Sequence, residues 1–243
     1  MKKGYLDDID MSEDKPTFDK PSTSEAWKNI LADFSMAAKN DEPKHVVQAY
    51  TRSQPLSRKI NNDMARNTYH ELTLYCTPLN CNVLARTQDG IDAFVSLLFH
   101  PKLDQYVCKD KLEVYRGSVI KSEGVLKSYE KSSIIISTTF LSTSRNPTIA
   151  EIYNDPGNTN KISCLCTYKK IFNYRRTALN IQQFSQHPEE KEVLILPYVP
   201  FKITSFDPMV LADSGKQRIE VKLEEIGDDN LDMQSAQTVS TLV

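Results

Sequence analysis

Two glutamates separated by a single residue precede a strongly apolar run. Glu190 and Glu192 lead directly into Val193-Leu194-Ile195-Leu196, a pattern typical of a buried strand. If the strand begins near Glu190, both carboxylates point to the same face, with Cα atoms about 7 Å apart at roughly 3.3 Å rise per residue. Two carboxylates on one face repel each other unless a cation lies opposite. Such a pair suits a site that stabilises a developing positive charge, although a charged loop edge gives the same pattern far more often.

Two earlier segments carry residue types that would complete such a site. Tyr115-Arg116-Gly117 places an arginine at the expected end of a strand, beside a flexible turn, and the arginine fork binds phosphate or carboxylate in two places. Ser142-Thr143-Ser144 places three consecutive hydroxyls after the strand-like segment 133–140. Alone, the first is typical of a surface arginine before a turn, and the second of turn hydroxyls that bond the local backbone.

Taken together and in this order, Arg116, Ser142-Thr143-Ser144 and Glu190-Lys191-Glu192 resemble the signature of the arginine-specific mono-ADP-ribosyltransferases. That family includes secreted bacterial toxins and the ecto-enzymes of animals. The specific match covers residues 110–206. The resemblance implies an α+β, ADP-ribosyltransferase-like fold, with an N-terminal helical lobe on a core of two packed, mainly antiparallel sheets. It also implies transfer of ADP-ribose from NAD to the guanidinium of arginine in a protein or small guanidine acceptor, with release of nicotinamide.

The resemblance assigns a role to each of the main residues. Glu192 would accept a hydrogen bond from the ribose 2′-hydroxyl and hold negative charge near an oxocarbenium-like transition state. Ser142 would orient Glu192, and Arg116 would pair with an NAD phosphate. Gly117 would leave room for the nicotinamide amide to bond the backbone. Glu190 would bind the acceptor guanidinium and help to remove its proton.

Five other residues carry weaker expectations. Thr143 and Ser144 are expected at the NAD site. Tyr50 is a further NAD-site candidate by resemblance, but core packing is its favoured role. Phe184 and His187 lie on the loop before Glu190 and are candidates for acceptor recognition. The equally weighted alternative is that Phe184 is a core anchor and His187 a solvated loop tip.

Two other functions stay open, and a third is disfavoured. The same chemistry with water as acceptor would make the chain an NAD glycohydrolase, and loss of turnover would leave an inactive NAD-binding module. A glycosidase built on the two glutamates is disfavoured, because the acids of that class usually come from different strands. NAD would be a consumed substrate, so no cofactor is expected beyond it. No metal is expected either, because the cysteines and histidines lack zinc spacing.

The bulk composition limits partners and compartment. The chain has 243 residues, a net charge of -2 and a pI near 6.1, so no basic excess favours nucleic acid. No apolar run approaches the roughly 20 residues of a membrane helix. Five cysteines, an odd number, favour free thiols in a reducing compartment. We expect a cytoplasmic monomer that binds NAD and a protein with an exposed arginine; a secreted enzyme whose leader is missing from this chain is the alternative.

Hydrophobic periodicity predicts helices first and strands afterwards. Helices are expected to start at 22–25, around 46–50, at Pro55 and at 87–89, and a short one is expected to start at Asn146. Strand patterns cover 112–116, 133–140, 162–168, 193–196 and 219–223. The predicted organisation is a flexible acidic arm (1–21), a single catalytic domain (22–226) and a flexible tail (227–243). Within the domain, the helical lobe covers about 22–105 and the sheet core about 106–226.

Overall fold

The computed structural model describes residues 23–73, 81–120, 129–154, 161–170, 175–211, 217–227 and 236–239. Helices come first and strands follow, which is the α+β order expected from the sequence. Internal contacts divide the chain into two compact units, Met1–Tyr106 with Gln183–Pro188 and Val107–Gln182 with Glu189–Val243. The expected arm over 1–21 lies outside the described residues, and the single catalytic domain over 22–226 stays a prediction.

The first unit is helical. Its elements are α1 (Thr23–Asn40), α2 (Lys44–Arg52), α3 (Gln54–Thr73), α4 (Cys81–Leu98) and a 3-10 helix (Pro101–Tyr106). Apolar residues at helical spacing form its buried stripes: Val46, Val47, Tyr50, Leu56, Ile60, Met64, Ile91, Phe94 and Leu98. The expectation that α4 begins at 87–89 is wrong. The six residues from Cys81 contain neither glycine nor proline, so nothing stops the helix from starting there.

The second unit contains the strands. They are β1 (Leu112–Ile120), β2 (Ile134–Ser137), β3 (Leu141–Ser144), β4 (Ile162–Lys170), β5 (Ala178–Asn180), β6 (Glu192–Ile195), β7 (Pro200–Val210), β8 (Gln217–Glu225) and β9 (Ala236–Val239). A short helix, α5 (Pro147–Tyr153), packs against β1 and β3. The side chain of Asn146 caps α5 by accepting a hydrogen bond from the Thr148 backbone N–H, as its position before Pro147 predicts.

Hydrogen-bonded pairing joins all the described strands in one order, β5-β6-β3-β1-β4-β8-β7-β2-β9. The pairs are antiparallel except β4–β8 and β2–β9. The expected division into two packed sheets is therefore not confirmed. The joint between β1 and β3 is narrow, because it consists of the single pair Tyr115 and Ser144. Residues 236–239, expected in a fraying tail, pair with β2.

One apolar cluster fills this unit, and it draws on strands from distant places in the order. Ile195 of β6, Ile135 of β2 and Val221 of β8 all belong to it. Strands that are separated by several neighbours can share a core only if the sheet curls over that core. The period-two burial predicted for 219–223 is confirmed, because alternate residues of β8 enter the cluster.

Two strand boundaries near the site differ from the expectation. β1 continues to Ile120, so Arg116 and Gly117 lie in mid-strand and not at a strand end beside a turn. The segment 133–140 is not one strand: β2 ends at Ser137, and the following residues, up to Phe140, leave the ladder. The three hydroxyl residues are part of β3 itself. The reason is pairing, because β2 joins β7 while β3 joins β6, and one straight strand cannot do both.

Candidate active site

Ser142 holds the carboxylate of Glu192. β3 and β6 pair antiparallel, with Ser142 opposite Leu194 and Ser144 opposite Glu192. Because Leu141 of β3 and its partner Ile195 of β6 enter the core cluster, Ser142 and Glu192 share the opposite face. The Ser142 hydroxyl donates to Glu192 Oε1 at 2.6 Å, which is the short distance of a charge-assisted O–H···O bond. Glu192 is only 7% exposed, so its carboxylate is both buried and oriented.

The next two hydroxyls bind the main chain of the same segment. Thr143 Oγ1 donates to the Val193 carbonyl at 2.6 Å, and Ser144 Oγ donates to the Glu190 carbonyl at 2.6 Å. Both side chains are buried. Their hydroxyl protons therefore fix the position of the segment that carries the two glutamates. Contact of Thr143 and Ser144 with NAD stays a prediction.

Glu190 and Glu192 do not continue one strand. Glu190 ends a 3-10 turn (Pro188–Glu190), and β6 begins at Glu192. Between them Lys191 adopts a left-handed backbone conformation, with φ of 48°. The expectation that the strand begins near Glu190, with both carboxylates on one face, is wrong because such a residue interrupts the period-two alternation. Glu190 is partly exposed, whereas Glu192 is buried.

Tyr153, the last residue of α5, reaches Glu190. Its hydroxyl donates to Glu190 Oε1 at 2.8 Å, and its side chain is half exposed. Burial of part of the ring, followed by the hydrogen bond to Glu190, raises the pKa of Tyr153 well above its usual range. Sequence reasoning missed this residue. The available signal was an aromatic residue at the end of a short helix that follows the three hydroxyls directly.

Gly117 is required by the packing of α5 on β1. A Cβ at this position would lie 1.8 Å from the carbonyl oxygen of Ala150 and 2.9 Å from the backbone nitrogen of Asn154. The space beside Gly117 on this face is therefore filled by the main chain of α5. The predicted contact between the Gly117 backbone and the nicotinamide amide stays a prediction.

Arg116 lies where β1 and β3 separate. Its Nη1 donates to the Ser142 carbonyl at 2.8 Å, beyond the point where the ladder between the two strands ends. Together with Tyr129, Cys166 and Tyr168 it lines a cavity of about 30 Å³ on the core side. Arg116 therefore reaches the site through the main chain of Ser142, and it fixes the strand that presents the Ser142 hydroxyl.

Tyr50 belongs to the helical unit and is part of its core. It is 4% exposed, its ring centroid lies 5.6 Å from that of Phe94, and its hydroxyl accepts from Asn61 Nδ2 at 3.1 Å. These contacts fit the core role that the sequence favoured. A role of Tyr50 in NAD binding stays a prediction.

Phe184 and His187 have different surroundings. Phe184 is 5% exposed and packs edge-on against Tyr106, with ring centroids 4.8 Å apart. His187 is exposed, and its backbone N–H donates to Ser185 Oγ at 3.2 Å. Phe184 thus has the setting of a core anchor and His187 that of a loop tip, while acceptor recognition by either stays a prediction.

The described residues contain neither a metal-binding cluster nor a membrane-spanning helix. Within the described ranges, no group of three or more histidine, cysteine, aspartate or glutamate side chains is arranged to hold a metal ion. Of the helices in that part of the chain, none has the length and apolar character needed to span a bilayer. Three cysteines that the structure describes, Cys108, Cys164 and Cys166, are buried free thiols.

Comparison with protein families identifies the class. The family described as NAD:arginine ADP-ribosyltransferase matches residues 17–230, and the chain belongs to this ADP-ribosyltransferase family. Its activity is ADP-ribosyl transfer, and NAD is the substrate that it consumes. The resemblance found in the motifs is confirmed at this level. A sequence search among curated proteins found no match.

Solved structures support the fold. The Vis toxin, an ADP-ribosyltransferase from Vibrio splendidus, has a TM-score of 0.54 and 16% identity, covering 93% of this chain and 94% of Vis. Plx2a, a toxin from Paenibacillus larvae, has a TM-score of 0.51 and 18% identity, covering 84% of this chain and 96% of Plx2a. Exoenzyme S from Pseudomonas aeruginosa has a TM-score of 0.51 and 15% identity, covering 88% of this chain and 92% of the exoenzyme. The expected α+β ADP-ribosyltransferase fold is confirmed.

Proposed function

We propose that this enzyme transfers ADP-ribose from NAD to the guanidinium of an arginine on a protein acceptor. The observation that carries the proposal is the contrast between the two carboxylates. Glu192 is buried and held by the Ser142 hydroxyl at 2.6 Å, while Glu190 is partly exposed, beyond the left-handed Lys191. The buried Glu192 carboxylate is suited to provide a fixed negative charge, and the partly exposed Glu190 carboxylate is suited to bind an incoming cation.

Glu192 would act on the nicotinamide–ribose bond. When this bond breaks, nicotinamide leaves with the bonding electrons and positive charge develops on the ribose, as in glycoside cleavage. A buried carboxylate that accepts a hydrogen bond from the ribose 2′-hydroxyl stabilises this charge in the transition state more than in the ground state. The Ser142 hydroxyl fixes the carboxylate beforehand, so no reorganisation is needed during the reaction.

Glu190 would act on the acceptor. A guanidinium offers a planar fork of N–H donors that a carboxylate accepts in two places. A protonated guanidinium nitrogen is a poor nucleophile, so a proton must leave as the nitrogen forms its bond to the ribose carbon, and Glu190 would accept it. The family is described as NAD:arginine ADP-ribosyltransferase, which points to arginine, and Vis has been solved in complex with agmatine, a small guanidine compound.

Arg116 would bind an NAD phosphate with the donors that remain beside its bond to the Ser142 carbonyl. The acceptor would be a protein with an exposed arginine, and the enzyme would act as a monomer. A cytoplasmic location is part of the proposal and follows from the expectation of free thiols.

The test is an assay with labelled NAD, with and without agmatine, on wild type and two variants. Glu192→Gln removes the charge that stabilises the transition state, so both agmatine modification and NAD hydrolysis should fall by about 10²–10³-fold. Glu190→Gln removes only the group that handles the acceptor, so transfer to agmatine should be lost while hydrolysis of NAD continues. Glu189→Gln, at the exposed neighbouring position, is the matched control.

Each outcome separates the proposal from its alternatives. Agmatine modification at the wild-type rate by Glu190→Gln would show that the acceptor role is wrong. Release of nicotinamide without any agmatine adduct would indicate an NAD glycohydrolase. Binding of NAD in calorimetry without release of nicotinamide would indicate an inactive binding module.

A further inference from the structure

Glu190 is held at two points. Its carbonyl oxygen accepts from Ser144 Oγ at 2.6 Å, and its side-chain Oε1 accepts from the Tyr153 hydroxyl at 2.8 Å. The first bond fixes the backbone and leaves the side chain its rotamers. The second bond selects one of those rotamers.

The helix that carries Tyr153 contacts two strands. α5 lies against Gly117 with no room for a side chain between them. Glu151 lies in α5 two residues before Tyr153, and its carboxylate accepts a hydrogen bond from Arg218 Nη2 of β8 at 3.1 Å. The phenol therefore stands on a helix that is fixed to two strands, while half of its surface remains open to solvent. A fixed donor beside an open carboxylate can orient that carboxylate without closing it.

We propose that Tyr153 is a positioning residue that orients Glu190 for a guanidinium acceptor and so favours transfer over hydrolysis of NAD. The inference rests on the proposed function and deepens it. A carboxylate has about four lone-pair positions. The Tyr153 phenol occupies one lone-pair position on Oε1, so the other position on Oε1 and the positions on Oε2 remain available. A bidentate guanidinium needs one on each oxygen, so phenol and acceptor bind together.

The protonation of Tyr153 agrees with this role. Partial burial and the neighbouring Glu190 raise the pKa of the phenol well above its usual range. The hydroxyl therefore stays protonated through neutral and mildly alkaline pH, where it is a donor to the carboxylate. A water molecule does not need both oxygens of the Glu190 carboxylate in a fixed orientation. Hydrolysis of NAD therefore depends on Tyr153 less than transfer to a guanidinium does.

Tyr153→Phe tests the inference because it removes the hydroxyl and keeps the ring. In one reaction with labelled NAD and agmatine, the ratio of agmatine adduct to free ADP-ribose should fall about three- to tenfold, as expected for one half-exposed hydrogen bond to a charged group. The loss should appear in kcat/KM for agmatine and not in KM for NAD. Ile152→Val, at the exposed neighbouring position of α5, is the control.

The outcomes are distinct. An unchanged ratio in Tyr153→Phe, with wild type forming adduct normally, overturns the inference and leaves the proposed function standing. An equal fall in transfer and hydrolysis also overturns it, because Tyr153 would then only support the fold. If wild type forms no adduct, the proposed function fails, and the inference fails with it.

Discussion

Glu190 and Glu192 are two positions apart in the chain, yet they have different surroundings. Had the strand begun at Glu190, both carboxylates would have stood on one face and repelled each other. The left-handed Lys191 separates them, so Glu192 is buried against Ser142 while Glu190 meets Tyr153. The division of labour proposed for the two acids thus depends on one backbone conformation.

Ser142→Ala should slow the enzyme with little effect on NAD binding. The variant removes the 2.6 Å hydrogen bond that the Ser142 hydroxyl donates to the buried Glu192 carboxylate. Loss of a hydrogen bond to a charged group costs about 1.5–3 kcal/mol, so kcat for both transfer and hydrolysis should fall by about tenfold or more. Steady-state kinetics with varied NAD measures it. Ser142→Thr, which keeps the hydroxyl, should recover most of the rate; full activity in Ser142→Ala would show that Glu192 is oriented by another group.

The helix α5 links the three motifs. It begins directly after β3, packs on β1 at Gly117 and ends at Tyr153 against Glu190. The sequence predicts this helix well, because Asn146 and Pro147 are a local start signal. Its docking against β1 could not be predicted, since the contact between Gly117 and the Ala150 carbonyl joins residues that are 33 positions apart.

Gly117→Ala should destabilise the strand unit and disturb transfer. The new Cβ would meet the Ala150 carbonyl oxygen at 1.8 Å, a backbone atom that cannot move aside alone, so α5 must shift. Such overpacking costs about 1–3 kcal/mol, which urea unfolding would detect. Because α5 carries Tyr153, the ratio of transfer to hydrolysis should fall as well.

Tyr115→Phe is the control for the same face of β1, because it removes only the exposed hydrogen bond to Glu113. A Gly117→Ala protein with wild-type stability would mean that α5 packs farther from β1 than the structure places it.

Local patterns explain what the sequence predicted correctly, and long-range pairing explains the rest. The alternation in β8 could be found because it depends on neighbours in sequence, whereas Arg116, Ser142 and Glu192 were singled out by the resemblance of three distant segments to a family signature, and their roles stay predictions. The single strand order and the narrow joint between β1 and β3 depend on which strands meet, which periodicity does not encode. The Lys191 turn was missed because lysine has no special preference for a left-handed backbone.

The cysteines provide a test of the proposed compartment. Cys164 and Cys166 lie side by side in the core with their sulfur atoms 3.8 Å apart, and Cys108 is also buried and free. Alternate residues of an extended strand have Cα atoms about 6.6 Å apart, at the upper limit for a disulfide, so the pair should stay reduced. The hydrogen bond with Cys166, together with burial, raises the pKa of Cys164, and burial raises that of Cys108, so neither thiol should form a reactive thiolate.

We therefore expect a reductant to leave Tm unchanged within about 1 °C, because the three cysteines whose side chains the structure describes form no cross-link that could be lost. An aromatic disulfide reagent should leave these three thiols unmodified in the native protein and should titrate all five cysteines of the chain after unfolding. A fall in Tm of several degrees on adding reductant would instead reveal a disulfide. That result would contradict the free thiols expected from the odd cysteine count, and it would place the enzyme in an oxidising compartment.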